Sequence, residues 1–174
     1  MNLLGLDISL TSTGYSNQGS TSLIKAKSRG PQRLYEISNM VIDACIEYEI
    51  DAVILEGYSF ASRNSQAHSI GELGGCIRMR LWENKIPYIE VPPTLRAKFA
   101  TGRGNAGKTE VISAISSKTG LVFSGAGADD ECDAWILEQM GLTYLGLSKY
   151  SWTAEQKTAL EKIDWSSMEE KSNE

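Results

Sequence analysis

Short apolar runs punctuated by single acids recur along the chain. Leu3-Leu4-Gly5-Leu6-Asp7-Ile8 has the length of a buried strand, set within residues 2–8, and one carboxylate interrupts it. Asp51-Ala52-Val53-Ile54-Leu55-Glu56 is a second such run, ending on an acid and then Gly57. Between them, residues 13–18 and 21–27 read as two more short strands joined by Ser/Thr/Gly-rich turns, a meander with the first. Gly30-Pro31 then opens a helix with Leu34, Ile37, Val41, Cys45 and Tyr48 at helical spacing. A helix over 68–84 gathers Ile70, Leu73, Ile77 and Leu81 on one face. Residues 87–92 form a fifth strand stopped by Pro92-Pro93, and helices near 107–119 and 130–141 follow. The order β-β-β-α-β-α-β-α-α predicts an α/β fold, a mixed five-stranded sheet with helices on its faces.

At 174 residues the chain is expected to hold one domain over 1–149. Residues 150–174 read as a polar, mobile or peripheral tail with a possible short helix over Ala154–Ile163. No apolar stretch approaches the roughly 18 residues a membrane helix needs. No leader or presequence pattern is visible, so a cytoplasmic location is expected. Cys45, Cys76 and Cys132 lie far apart without a CxxC pair and read as reduced, structural thiols.

The acids change the picture from fold to chemistry. Asp130 and Asp133 stand three apart at the start of a helix, which puts them on one face with Cβ atoms roughly 5–6 Å apart. If strands one and four pair, Asp7 and Glu56 become neighbours, and a helix laid across the sheet brings Asp130 and Asp133 to them. Singly, each has an ordinary explanation: Asp7 as the end of a strand, Asp130 as a helix cap. Together they form an all-oxygen set that suits Mg²⁺ or Mn²⁺ and points to phosphoryl chemistry. Asp129 and Glu131 are expected to face solvent. His68 is the only histidine, which excludes a catalytic triad or a His-rich metal site.

The net charge of −5 weighs against a polyanionic ligand, but its distribution does not. From Arg78 to Lys108 there are seven Lys/Arg against two acids, whereas Asp129 to Glu138 holds five acids and no base. A site that gathers cations must be locally acidic, and a basic segment beside it suits nucleic acid.

Leu4-Gly5-Leu6-Asp7-Ile8-Ser9 through Thr13-Gly14-Tyr15, then Val53-Ile54-Leu55-Glu56, then Asp130-x-x-Asp133-Ala134 resemble, in order, the RuvC family of Holliday-junction resolvases. Phe99 to Lys108 looks like the basic segment of its phage and bacterial members, and the match spans about residues 1–145. The resemblance implies an RNase H-like fold, a homodimer, and a metal-dependent endonuclease that acts on branched DNA such as a four-way junction. It implies Asp7, Glu56, Asp130 and Asp133 as catalytic acids, with Asp130 standing where some members have His. Lys108 would sit near the scissile phosphate and Lys98 would match a second basic position. Arg96, Arg103 and Arg63 would join them on DNA. Phe60 is the candidate for an aromatic that contacts unstacked bases, one residue further from Glu56 than the family pattern. The chemistry expected is hydrolysis with two ions roughly 3.5–4 Å apart, leaving a 5′-phosphate and a 3′-hydroxyl. The setting implied is the cytoplasm of a bacterial or phage-infected cell.

Other readings compete. Gly102-Arg103-Gly104-Asn105-Ala106-Gly107-Lys108-Thr109 matches the phosphate-binding P-loop pattern, but that motif needs a hydrophobic strand before it. Thr94 to Thr101 is basic and follows two prolines. A sugar-kinase or actin-like ATPase shares the first strand's pattern but requires two such domains. A non-catalytic DNA-binding module would gain from losing the acids. A broader nuclease cutting flaps and forks would use the same four. Gly71, Gly74 and Gly75 mark either a break in their helix or a face for close contact in a dimer.

Overall fold

The computed structural model describes residues 1–58 and 66–171. Its five strands are β1 (Leu3–Asp7), β2 (Thr13–Asn17), β3 (Ser20–Ile24), β4 (Ala52–Glu56) and β5 (Tyr88–Val91), ordered β3-β2-β1-β4-β5. The β1–β2 and β2–β3 pairs are antiparallel, and β1–β4 and β4–β5 are parallel. The β2–β3 hairpin closes on Gln18 and Gly19, with φ of 52° and 79°. Positive φ at both central residues matches the turn to the strand twist.

Side chains alternate across β1, so its two faces belong to different cores. Leu4 and Leu6 pack with Val53 and Leu55 of β4 against helices α1 (Gly30–Glu47) and α2 (Gln66–Glu83). Leu3 packs with Ala52 and Ile54 on the opposite side. Gly5 and Asp7 share that second face, as does Glu56 of β4 by the same alternation. Helix α2 runs unbroken through Gly71, Gly74 and Gly75.

The second face is covered by α5 (Ala128–Tyr144), with α3 (Pro93–Thr101) and α4 (Lys108–Thr119) packed around it. Every residue of α5 from Cys132 to Gly141 is buried. A helix enclosed on all sides cannot show a one-sided apolar stripe. Its backbone comes unusually close to the sheet. A Cβ on Gly5 would lie 2.6 Å from the Glu138 amide nitrogen, and one on Gly14 would meet the Asp130 carbonyl. Polar links fix the register: Ser16 Oγ donates to Glu138 at 2.5 Å, the Gly19 amide donates to it at 3.1 Å, and Thr21 Oγ1 donates to Glu131 at 3.1 Å.

Two expectations need correction. Helix α3 was not anticipated: Pro93 opens it at a position where a missing N–H and fixed φ favour a helix start. The C-terminal segment is no loose tail. Trp152, Ala159, Leu160, Ile163, Trp165 and Met168 are buried in the α5 core. Trp152 lies 4.2 Å from Phe99 between ring centroids, and Trp165 stacks on Tyr144 at 4.3 Å. The helix expected over 154–163 is a short α6 (Ala154–Lys157) and a 3₁₀ turn (Leu160–Lys162), followed by α7 (Ser166–Lys171). Among the described residues no helix is long and apolar enough to cross a membrane.

Gly5→Ala has nowhere to put its methyl except into the α5 backbone, so it is expected to destabilise the protein by roughly 3 kcal/mol. A thermal melt of the variant checks this, and an unchanged Tm would show that α5 does not sit this close.

Candidate metal centre

Two parallel strands and one helix converge on the site. The register that pairs Leu6 with Leu55 leaves Asp7 and Glu56 side by side at the carboxyl ends of β1 and β4. Gly127, with φ of 96°, turns the chain into α5, whose first turn carries Asp129, Asp130 and Glu131. Acids there are favoured by the helix dipole. Because Gly14 admits the Asp130 carbonyl, the first turns of α5 lie directly over the ends of β1 and β2.

Asp7, Glu56 and Asp133 come together: one carboxylate oxygen from each lies within 4.8 Å of the other two. The cluster is largely shut off from water, and its charges are correspondingly expensive. Burial pushes the Asp7 carboxyl well above the usual carboxylate range, with the Glu56 and Asp133 charges adding to the shift and Arg96 opposing it. Burial likewise pushes Asp133 up to about 7, with Arg96 opposing and Glu56 adding. Asp130 stands outside the tight triad, half-buried beside Asp7. Burial raises its carboxyl too, against the nearby Ser12 hydroxyl.

Arg96 is the residue that the sequence misplaced. Expected on DNA, it enters the acid cluster from α3: Nη1 pairs with Asp133, and Nε lies 3.3 Å from Glu56. Its side chain is only 13% exposed. The unrecognised helix hid this, since a helix starting at Pro93 projects Arg96 one turn in, beside the strand ends. Desolvation works against its charge, but Glu56, Asp133 and Asp7 outweigh it and hold the guanidinium pKa above its ordinary value.

Lys108 opens α4 and pairs with Asp129, and this hydrogen bond raises the lysine pKa and lowers that of Asp129. Asp129 and Glu131, expected to face solvent, are thus both engaged, with Lys108 and with Thr21. Lys98 reaches Glu155 at 3.3 Å rather than the acids, and Arg103 pairs with Glu110. Phe60 and Arg63 lie outside the described residues. Tyr58, two residues past Glu56, is 45% exposed under the Arg78 guanidinium, 4.4 Å above its ring. The P-loop reading fails on structure, because helix α3, not a strand, precedes residues 102–109.

The donor set fits a divalent ion. Three convergent carboxylates, when ionised, carry more negative charge than one guanidinium can balance, and all-oxygen ligands suit Mg²⁺ or Mn²⁺.

No protein-family model matches the chain. It is 27% identical over 153 residues to the crossover junction endodeoxyribonuclease RuvC of Prochlorococcus marinus (strain NATL1A), covering 82% of this chain and 98% of the relative. In fold it matches the RuvC structure of Thermus thermophilus with a TM-score of 0.66, at 20% identity, over 87% of this chain and all of that one. A second structure, T. thermophilus RuvC in complex with a Holliday junction substrate, matches at a TM-score of 0.64 and 21% identity, over 87% of this chain and 99% of that one. In sequence and in fold the chain is similar to RuvC proteins. Its five-stranded sheet and flanking helices are those of the RNase H-like RuvC fold.

A group with a raised folded-state pKa favours folding where both states are protonated and loses that advantage as pH rises through the folded value. For Asp133 the window runs from about 4 to about 7. In chelator, wild-type stability is therefore expected to fall relative to Asp133→Asn across this window, by about 1.4 kcal/mol per pH unit at most. Denaturant unfolding of both proteins from pH 4 to 8 measures the difference, and parallel curves would show that Asp133 titrates as an ordinary carboxyl.

Proposed function

We propose that the protein is a divalent-metal-dependent endonuclease that resolves four-way DNA junctions by paired symmetric phosphodiester hydrolysis. The observation that carries this reading is the convergence of Asp7, Glu56 and Asp133 at the strand ends. Support comes from the similarity to RuvC proteins: one relative is named a crossover junction endodeoxyribonuclease, and one structural neighbour is a RuvC–Holliday junction complex.

In this reading Asp7, Glu56 and Asp133 would hold two ions per site, and the all-oxygen donor set favours Mg²⁺ or Mn²⁺. Bound ions supply Lewis acidity at the phosphate and lower the pKa of attacking water. Asp7, on the central strand, is placed to serve as the shared ligand. Asp130, beside it and less enclosed, completes the set or orients water. Lys108, whose side chain is 75% exposed, can leave Asp129 for a phosphate oxygen and offset its charge. Lys98, Arg103 and Arg63 are proposed DNA contacts, and Phe60 is proposed to contact unstacked bases at the junction centre. The reaction belongs in the cytoplasm of a bacterial or phage-infected cell.

Paired cutting requires two sites facing one junction, hence a homodimer. The outer face of α2 supports it: Gly75, Met79 and Trp82 fall on one stripe at i, i+4 and i+7, with Met79 54% and Trp82 77% exposed. A stripe of this kind is an interaction surface rather than a scattered exposure.

Cleavage of a four-way junction, a Y-fork, a 5′-flap and linear duplex in Mg²⁺ and in Mn²⁺ tests the activity. Symmetric nicks in the junction with duplex untouched are expected, whereas cutting of every branched form would replace resolution with broader branch cleavage. Asp7→Asn is expected to bind the junction in Ca²⁺ yet lose cleavage in Mg²⁺ by roughly 10²-fold or more. Retained turnover would remove Asp7 from the mechanism. Trp82→Glu is expected to shift the molar mass measured by light scattering from dimer to monomer and to uncouple the paired nicks. A variant that stays dimeric would put the interface elsewhere.

A further inference from the structure

The position of Arg96 has a consequence for metal loading that rests on the metal-site reading above. Its guanidinium occupies the space between Glu56 on β4 and Asp133 on α5, with Nη1 on Asp133 and with Nε and Nη2 at 3.3 and 3.5 Å from the two oxygens of Glu56. These are two of the three carboxylates that converge as cation ligands. We propose that Arg96 is a resident counterion that competes with the divalent cation for Glu56 and Asp133 and so sets the metal concentration at which the site fills.

The argument is one of charge and geometry. Three ionised carboxylates in a nearly dry pocket cannot coexist without a cation, and the cost of an uncompensated buried charge is high. Arg96 provides the one cation among the described residues that forms ion pairs with the triad. Guanidinium does not lose its proton, so it cannot step aside by becoming neutral. It must give up its contacts to Glu56 and Asp133 before an ion can take the same carboxylates. The fork geometry also explains why arginine serves: one planar group spans two acids on different elements and holds β4 and α5 at ligand spacing before metal arrives. The site is thereby kept assembled without metal, at the expense of affinity for it.

The test needs no DNA. Mn²⁺ is titrated into the full-length chain by calorimetry, and Tm is measured with Mn²⁺ and in chelator, for wild type, Arg96→Gln and Arg96→Lys. Arg96→Gln is expected to melt lower in chelator, to recover with Mn²⁺, and to bind Mn²⁺ with a Kd about tenfold lower, the change that about 1.4 kcal/mol produces. Arg96→Lys is expected between the two, because an ammonium reaches one carboxylate where the guanidinium reaches two. Equal or weaker Mn²⁺ binding in Arg96→Gln overturns the competition and leaves Arg96 as a residue that positions the acids. If that variant does not fold in chelator, the lysine variant decides in the same way: a Kd below wild type supports the competition and one equal or above overturns it. Should no protein bind Mn²⁺, the metal site itself falls and the competition with it, whereas identical binding by all three removes only the competition.

Discussion

The contact on which everything else depends is backbone against backbone. Helix α5 lies on β1 and β2 without intervening side chains at Gly5 and Gly14, where a single Cβ would strike the Glu138 amide and the Asp130 carbonyl. At ordinary helix-to-sheet spacing, Asp133 would stand back from Asp7 and Glu56, and the three carboxylates would not share a pocket. The same approach lets Ser16 and Gly19 reach Glu138, which locks the helix along its axis. Two residues without side chains therefore set the distance, and the hydrogen-bonded links from Ser16, Gly19 and Thr21 set the register.

Holding α5 there creates an electrostatic problem that the rest of the site answers. Burial pushes the Asp7 and Asp133 carboxyls upward, and each carboxylate aggravates its neighbours. Arg96 relieves part of this from inside, and Lys108 with Asp129 adds a second, more exposed pair at the rim. The arrangement resembles a site kept ready for cations: rigid where ligands must converge, and positively lined where a polyanion would approach. The enclosing wall comes from residues far along the chain. Trp152, Leu160, Ile163 and Trp165 close the far side of α5, so that the helix bearing Asp130 and Asp133 is braced on every face.

Most strands and long helices were legible because their patterns are local. Alternation and apolar runs marked β1 and β4, and a helical stripe marked α1. Three things were not legible. Helix α3 was passed over because Pro92-Pro93 reads as a stop, although a proline opens a helix as readily as it ends a strand. The C-terminal segment looked polar because its buried residues come singly, with no period, and each fills a separate gap around α5. Asp129 looked solvated because its partner Lys108 lies 21 residues away.

Which acids end which strands and the three-residue spacing of Asp130 and Asp133 are properties of neighbours along the chain, and local pattern reveals them. Tertiary packing makes Asp7, Glu56 and Asp133 the tight triad and leaves Asp130 at its edge. It alone placed Arg96 among them rather than on the surface. Those outcomes depend on the distance between α5 and the sheet and on the direction in which α3 leaves β5. Such distances arise from packing between segments remote in sequence, which no local pattern encodes.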